Sequence, residues 1–136
     1  MNPRLQVVPI IMQYSKFNYD DRVELGKIVG KDNLSIEEEE LLIYAVDAYP
    51  SEWVKPDIVV WPENAEQVSQ IIRHAQRRNL PTVARGAGSS LSGNAVPIHA
   101  GIVISFRRMN KIIQILEKDM QVVYSQEWFT TNSTPN

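Results

Sequence analysis

The spacing of apolar and polar residues divides the chain into short elements of two periods. From Asn18 or Asp20, "YDDRVELGKIVG" places acids in a first turn and ends on Gly30, which predicts a short helix with a glycine stop. Ser35 and Glu38 stand in S-x-x-E spacing ahead of "EELLIYAV", predicting a second helix with a capping box. The acidic run Glu37 to Glu40 suits the solvated start of that helix better than a metal or partner site. Beyond Pro50 and Pro56, the β-branched run "DIVVW" (Asp57 to Trp61) halts at Pro62 and predicts a buried strand. Asn64 then caps "AEQVSQIIRHAQRRN", in which Val68, Ile71, Ile72 and Ala75 follow the i, i+3, i+4, i+7 spacing of one helical face.

Pro81 ends that helix's connection, and "TVA" from Thr82 predicts a short strand. Strand, helix and strand with tight connections make a βαβ unit, a crossover that is right-handed in nearly all proteins. "GIVISF" (Gly101 to Phe106) predicts another buried strand, and "KIIQIL" and "MQVVY" about the turn "EKD" predict an antiparallel hairpin. Residues 1–18 give only weak signals. The last 12 residues hold eight Ser, Thr, Asn or Gln without periodicity, so a flexible or loosely packed tail is expected there.

Composition narrows the class. At 136 residues the chain is one domain or half of a larger one, and 43% hydrophobic with 22% charged residues is ordinary for a globular protein. A net charge of −2 supplies no drive toward nucleic acid or an anionic membrane, and the absence of cysteine excludes disulfides and thiolate chemistry. No apolar run approaches the ~20 residues of a membrane span. "LQVVPIIM" is broken by Pro9 and lacks a cleavage site, so a soluble, cytoplasmic protein is expected.

Few side chains offer chemistry. The basic stretch "RHAQRR" (Arg73 to Arg78) lies at a helix C-terminus, where cations suit the dipole, and reads as a solvated face. His74 lies off the apolar face, His99 lies far away in sequence, and neither has ligands for a metal site. No catalytic constellation can be assembled; Ser89, Ser90 and Ser92 are not in a nucleophile elbow.

The remaining feature is "LPTVARGAGSSLSGNAVP" (Leu80 to Pro97). It has no lysine for a Walker A loop. A dinucleotide fingerprint would need glycine where Leu91 stands, and a helix directly after; Gly93, Asn94 and Pro97 preclude one. Two readings stay open on composition: a solvent loop, or an anion cradle of main-chain amides in which Gly86 and Gly88 allow φ > 0 and close approach. In the cradle, Ser89 and Ser90 would add hydroxyls, and Arg85 would compensate charge or brace the loop.

"PTVARGAGSSLSG" resembles the pyrophosphate loop of FAD-linked oxidases of the vanillyl-alcohol oxidase / p-cresol methylhydroxylase (PCMH) type, and the similarity extends well beyond the loop. "IVGKDNLS", "PDIVVWPENAEQVSQIIRHA" and "AVPIHAGIVISFRRMNKI" are similar to the branch of glycolate oxidase D-type subunits and D-lactate dehydrogenases, over about Leu25 to Val123. The resemblance implies an α+β fold: the βαβ-containing N-terminal subdomain of a PCMH-type FAD-binding domain, with N-terminal helices and a C-terminal hairpin. On this reading residues 1–18 are poorly defined, 19–124 form a partial FAD-binding domain, and 125–136 are a non-family flexible tail.

It also implies that Arg85, Gly86, Ala87, Gly88, Ser89, Ser90, Leu91 and Gly93 hold the FAD pyrophosphate, in a flavoenzyme that takes hydride from a 2-hydroxy acid such as glycolate or D-lactate. Ser89 and Ser90 occupy the neighbourhood where some relatives carry a flavin-linking histidine, so FAD is expected to be non-covalent. Asn94 and Ala100 stand where close relatives usually have glycine. After "MQVV" the family's Pro-Gly turn is replaced by "YSQEW", and the second half of the FAD domain and the substrate domain are not represented. The expectation is a truncated chain that is inactive alone, or a non-catalytic flavin-binding or assembly subunit paired with a chain that supplies the missing domains.

Overall fold

The computed structural model describes residues 13–49 and 53–125. The expectations for the N-terminal apolar stretch, for Pro50 and for the tail beyond Ser125 lie outside the described residues.

Helix α1 (Tyr19–Val29) starts where local chemistry dictates: Asn18 accepts from the Asp21 amide, and the Asp21 carboxylate accepts from the Asn18 amide. Gly30, at φ 89°, ends it. The two-residue strand β1 (Leu34–Ser35) follows, then α2 (Glu38–Ile43). The Ser35/Glu38 capping box does not form. Ser35 pairs with Val59 in the sheet, its hydroxyl accepts from the Glu37 amide at 3.1 Å, and the helix begins only at Glu38. Strand pairing holds Ser35 in an extended conformation and delays the helix.

Strands β2 (Ile58–Val60), β3 (Thr82–Arg85) and β4 (Ile102–Ser105) are parallel, and α3 (Ala65–Arg78), capped by Asn64, connects β2 to β3. The sheet order is β1-β2-β4-β3, so the βαβ unit is split: β4 enters between the two strands that α3 joins. Its four residues are all buried, whereas Thr82 and Ala84 of β3 are exposed at the sheet edge. The two apolar runs, β2 and β4, take the inner positions of the sheet.

Alternation across the strands makes two cores. Ile58, Val60, Ile102 and Ile104 pack against Leu25 and Val29 of α1 and Ile71 and Ala75 of α3. Val59, Trp61 and Val103 point the other way, onto Leu41 of α2 and Tyr44 just beyond it. Each fully buried aliphatic side chain contributes about 1.5–3 kcal/mol against the entropy of ordering the chain. The buried face of α3 is rotated from the expected one: Ile72 is exposed, and Ile71, His74 and Ala75 are buried. Beyond β4, β5 (Ile112–Leu116) and β6 (Gln121–Tyr124) form the expected hairpin as a separate two-stranded sheet.

Candidate functional site

The loop 86–101 leaves the edge strand β3 at Arg85 and returns to the central strand β4. Arg85 is buried and turned inward, under the loop. Its Nη1 donates to the carbonyl oxygens of Val46 (2.6 Å) and Ala95 (3.4 Å), and its Nη2 to that of Ile43 (3.4 Å). The guanidinium lies 5.3 Å from the centre of the Tyr44 ring, and the Tyr44 hydroxyl accepts from Trp61 Nε1 at 2.9 Å. Burial lowers the guanidinium pKa, opposed by Tyr44 and Asp47, and an arginine so held stays a cation. Of the two roles open to Arg85, bracing is the one its contacts serve.

The loop wraps over this brace. Gly88 has φ +72°, and a Cβ there would come within 2.2 Å of the Arg85 guanidinium. Glycine is thus required twice, for conformation and for space. The Gly88 carbonyl accepts from the Ala48 amide at 3.1 Å, and Gly93, also at positive φ, packs beside the Tyr49 ring. Gly86 does not use the φ > 0 freedom expected of it, because it still follows the line of β3. At the far end the Gly101 carbonyl accepts from the Asp57 and Ile58 amides, and the Gly101 amide donates to Asp57 Oδ2 at 2.9 Å.

The outer side offers donors. Gly86, Ala87, Ser89 and Leu91 are exposed, and Gly88, Ser90 and Gly93 half-buried. Among the described residues, no carbonyl or side chain accepts from the amides of Gly86 to Leu91; the Ser90 hydroxyl accepts from the Ser92 amide at 3.2 Å. No acidic residue stands between Arg85 and Gly101. Unengaged amides around a left-handed glycine, over a buried cation and without carboxylates, form a donor set that fits a phosphate-type anion.

A second polar cluster lies on the opposite face of the sheet, away from the loop. Asp21 Oδ1 meets His74 Nε2 at 3.0 Å and accepts from Arg78 Nε at 2.8 Å. Asp21 is 1% exposed, and His74 is buried as well. Neither the off-face placement of His74 nor the wholly solvated reading of the basic stretch holds, because α1 packs onto this part of α3 and brings a carboxylate with it. Burial works to raise the Asp21 pKa, but the Arg78 hydrogen bond, the Asn18 amide, the Arg78 charge and His74 outweigh it, and the net shift is downward. This cluster joins two helices and leaves the loop untouched. What sequence reasoning missed at the loop is the segment 43–49, which supplies acceptors to Arg85, a donor to Gly88 and a wall for Gly93.

The FAD binding domain family matches residues 56–125, a span that holds the whole loop. The chain belongs to this family. FAD is its cofactor, as the resemblance implied, and the loop's donor set fits the pyrophosphate of that group. The chain is 32% identical over 101 residues to glycolate oxidase subunit GlcD of Bacillus subtilis, covering 74% of this chain and 22% of the relative. It is 44% identical over 55 residues to D-lactate dehydrogenase of Archaeoglobus fulgidus, covering 40% of this chain and 12% of the relative. The fold is similar to part of the solved structure of p-cresol methylhydroxylase with substrate bound, at a TM-score of 0.63 and 24% identity over 71% of this chain and 20% of that one. The α+β, PCMH-type architecture is therefore as expected, and the chain spans about a fifth or less of the length of these proteins. Among the described residues, no helix is long and apolar enough to cross a membrane.

Proposed function

We propose that the loop holds the FAD pyrophosphate non-covalently, with Arg85, Gly86, Ala87, Gly88, Ser89, Ser90, Leu91 and Gly93 as the contacting residues. The row of unengaged amides around Gly88, over the inward-turned Arg85, carries this reading. Those amides bind and orient the diphosphate, the Arg85 side chain fixes the shape of the loop, and Ser89 and Ser90 offer hydroxyls. Residues 19–124 act as a partial FAD-binding domain. The family assignment and the two relatives support a role in a flavoprotein that oxidises a 2-hydroxy acid of the glycolate or D-lactate kind, for which bound FAD supplies the hydride acceptor.

Hydride transfer needs flavin and substrate fixed together, and residues 19–124 supply contacts to the pyrophosphate end of the cofactor. These residues are expected to bind FAD without turnover by themselves. Equilibrium dialysis tests the cofactor reading: the purified chain should retain FAD, and Gly88→Val should weaken retention at least tenfold because valine clashes with Arg85 and resists positive φ. No retention by the wild-type chain, or equal retention by Gly88→Val, rules out the loop as the FAD site.

A further inference from the structure

Tyr49 is fastened to the loop by its backbone and by its ring. Its amide donates to Asp47 Oδ1 at 2.9 Å, a side-chain turn that fixes the end of segment 43–49. The amide of the preceding residue, Ala48, donates to the Gly88 carbonyl at 3.1 Å and ties that turn to the loop. The ring carbon Cδ1 lies 3.5 Å from where a Cβ would stand on Gly93, at ordinary contact distance. Contacts at Gly88 and Gly93 thus hold Tyr49 beside the stretch that carries the unengaged amides. Tyr49 nevertheless stays 47% exposed. Tyr44, by contrast, is buried against Arg85 and accepts from Trp61. Packing accounts for Tyr44; it leaves half of Tyr49 unaccounted for. A single exposed aromatic is common on protein surfaces. One clamped against a phosphate-type site by its own backbone is a preformed flat surface.

We propose that Tyr49 is a binding residue for the cofactor, its ring packing on one of the two flat ring systems that flank the diphosphate of FAD. The inference rests on the reading that the loop holds that diphosphate, and it adds a contact outside the loop. FAD carries adenine on one side of its diphosphate and isoalloxazine on the other. A diphosphate seated on the amides of Gly86 to Leu91 therefore sends a flat ring system away from the loop in each direction. Tyrosine suits the task, because it offers a large apolar face and has only two side-chain torsions to freeze. The hydrogen bonds at Ala48 and Tyr49 order the backbone before any ligand arrives, so less ordering opposes binding. Stacking uses the π-face that every such ring presents, so Tyr49 needs no matched polar group beside it.

Isothermal titration calorimetry on the full chain tests this, with FAD, ADP, FMN and inorganic pyrophosphate as the probes. Tyr49→Ala should weaken FAD binding about tenfold and leave inorganic pyrophosphate within about twofold of wild type. Tyr49→Phe, which keeps the ring, should bind FAD within about twofold of wild type. ADP and FMN carry one ring system each, so the one that Tyr49→Ala weakens names the stacked ring. Weakening of both alike or of neither overturns the proposal. So does an equal loss for FAD and pyrophosphate, which would mean that Tyr49 only shapes the loop. FAD binding that pyrophosphate displaces, but that Tyr49→Ala leaves unchanged, removes the Tyr49 contact and keeps the pyrophosphate reading. No FAD binding by the wild-type chain removes both.

Discussion

Asp21 and Arg85 are both buried charges, and the fold accommodates them in opposite ways. Asp21 pairs with the Arg78 cation and meets His74 Nε2, both on another helix, and so fastens α1 to α3. Arg85 meets main-chain carbonyls of Ile43, Val46 and Ala95, and so fastens a loop to the end of α2. The first lock depends on protonation; the second depends on the path of the backbone. A loop braced by carbonyls keeps its shape over any pH at which the chain is folded, while the helix pair beneath the sheet carries the acid sensitivity.

Arg85→Ala should give the largest effect, since it removes the charged donor from three carbonyls and leaves a void. A loss of roughly 3 kcal/mol in urea unfolding is expected, with FAD retention reduced more than tenfold by dialysis. If FAD retention survives that loss, the brace is not what shapes the site. Asp21→Asn should cost about 2 kcal/mol at neutral pH, less than a fully enclosed pair, because Arg78 is 40% exposed. The sign of its pH dependence follows from the lowered carboxyl pKa. The Asp21 contribution is present above the ordinary value of 3.8 and is lost as pH falls through the lower folded value. The Asn variant's deficit should therefore shrink only as pH falls below 3.8, and the Arg85→Ala deficit should not. Parallel behaviour of the two variants would erase the distinction.

Smaller changes probe the loop's supports. Tyr44→Phe removes the acceptor of the buried Trp61 N–H but keeps a ring under Arg85, so a loss of about 1 kcal/mol is expected with FAD retention little changed. Ala100 sits at φ 58°, in the left-handed region that favours glycine. Ala100→Gly should raise stability by up to about 1 kcal/mol in thermal or urea unfolding, since it relieves strain at the loop's return without touching either charge. A destabilised Ala100→Gly would mean that the loop gains more from alanine's stiffness than it loses to strain.

Much of the fold was legible because the chemistry that sets it is local. Asn18 and Asn64 cap the helices they precede, Gly30 ends the first, and the runs at 58–60 and 102–105 are buried strands. Where reasoning failed, a partner distant in sequence decided. Ser35 was drawn into the sheet by Val59, and the buried face of α3 was rotated onto His74 by a carboxylate 53 positions away. At the site, the glycines advertised the loop, but its supports did not advertise themselves. The groups that hold Arg85 are carbonyls, which every residue possesses, so no side-chain pattern at 43–49 could point to them.

The split order of the sheet carries a consequence for how the molecule assembles. β4 joins neighbours on both sides only after the chain has traversed α3, β3 and the whole loop. Closing that loop is therefore a step in completing the centre of the sheet, and its length and stiffness enter the folding barrier. The loop proposed to hold the cofactor is also a hinge through which β4 must swing, so selection on one role would constrain the other.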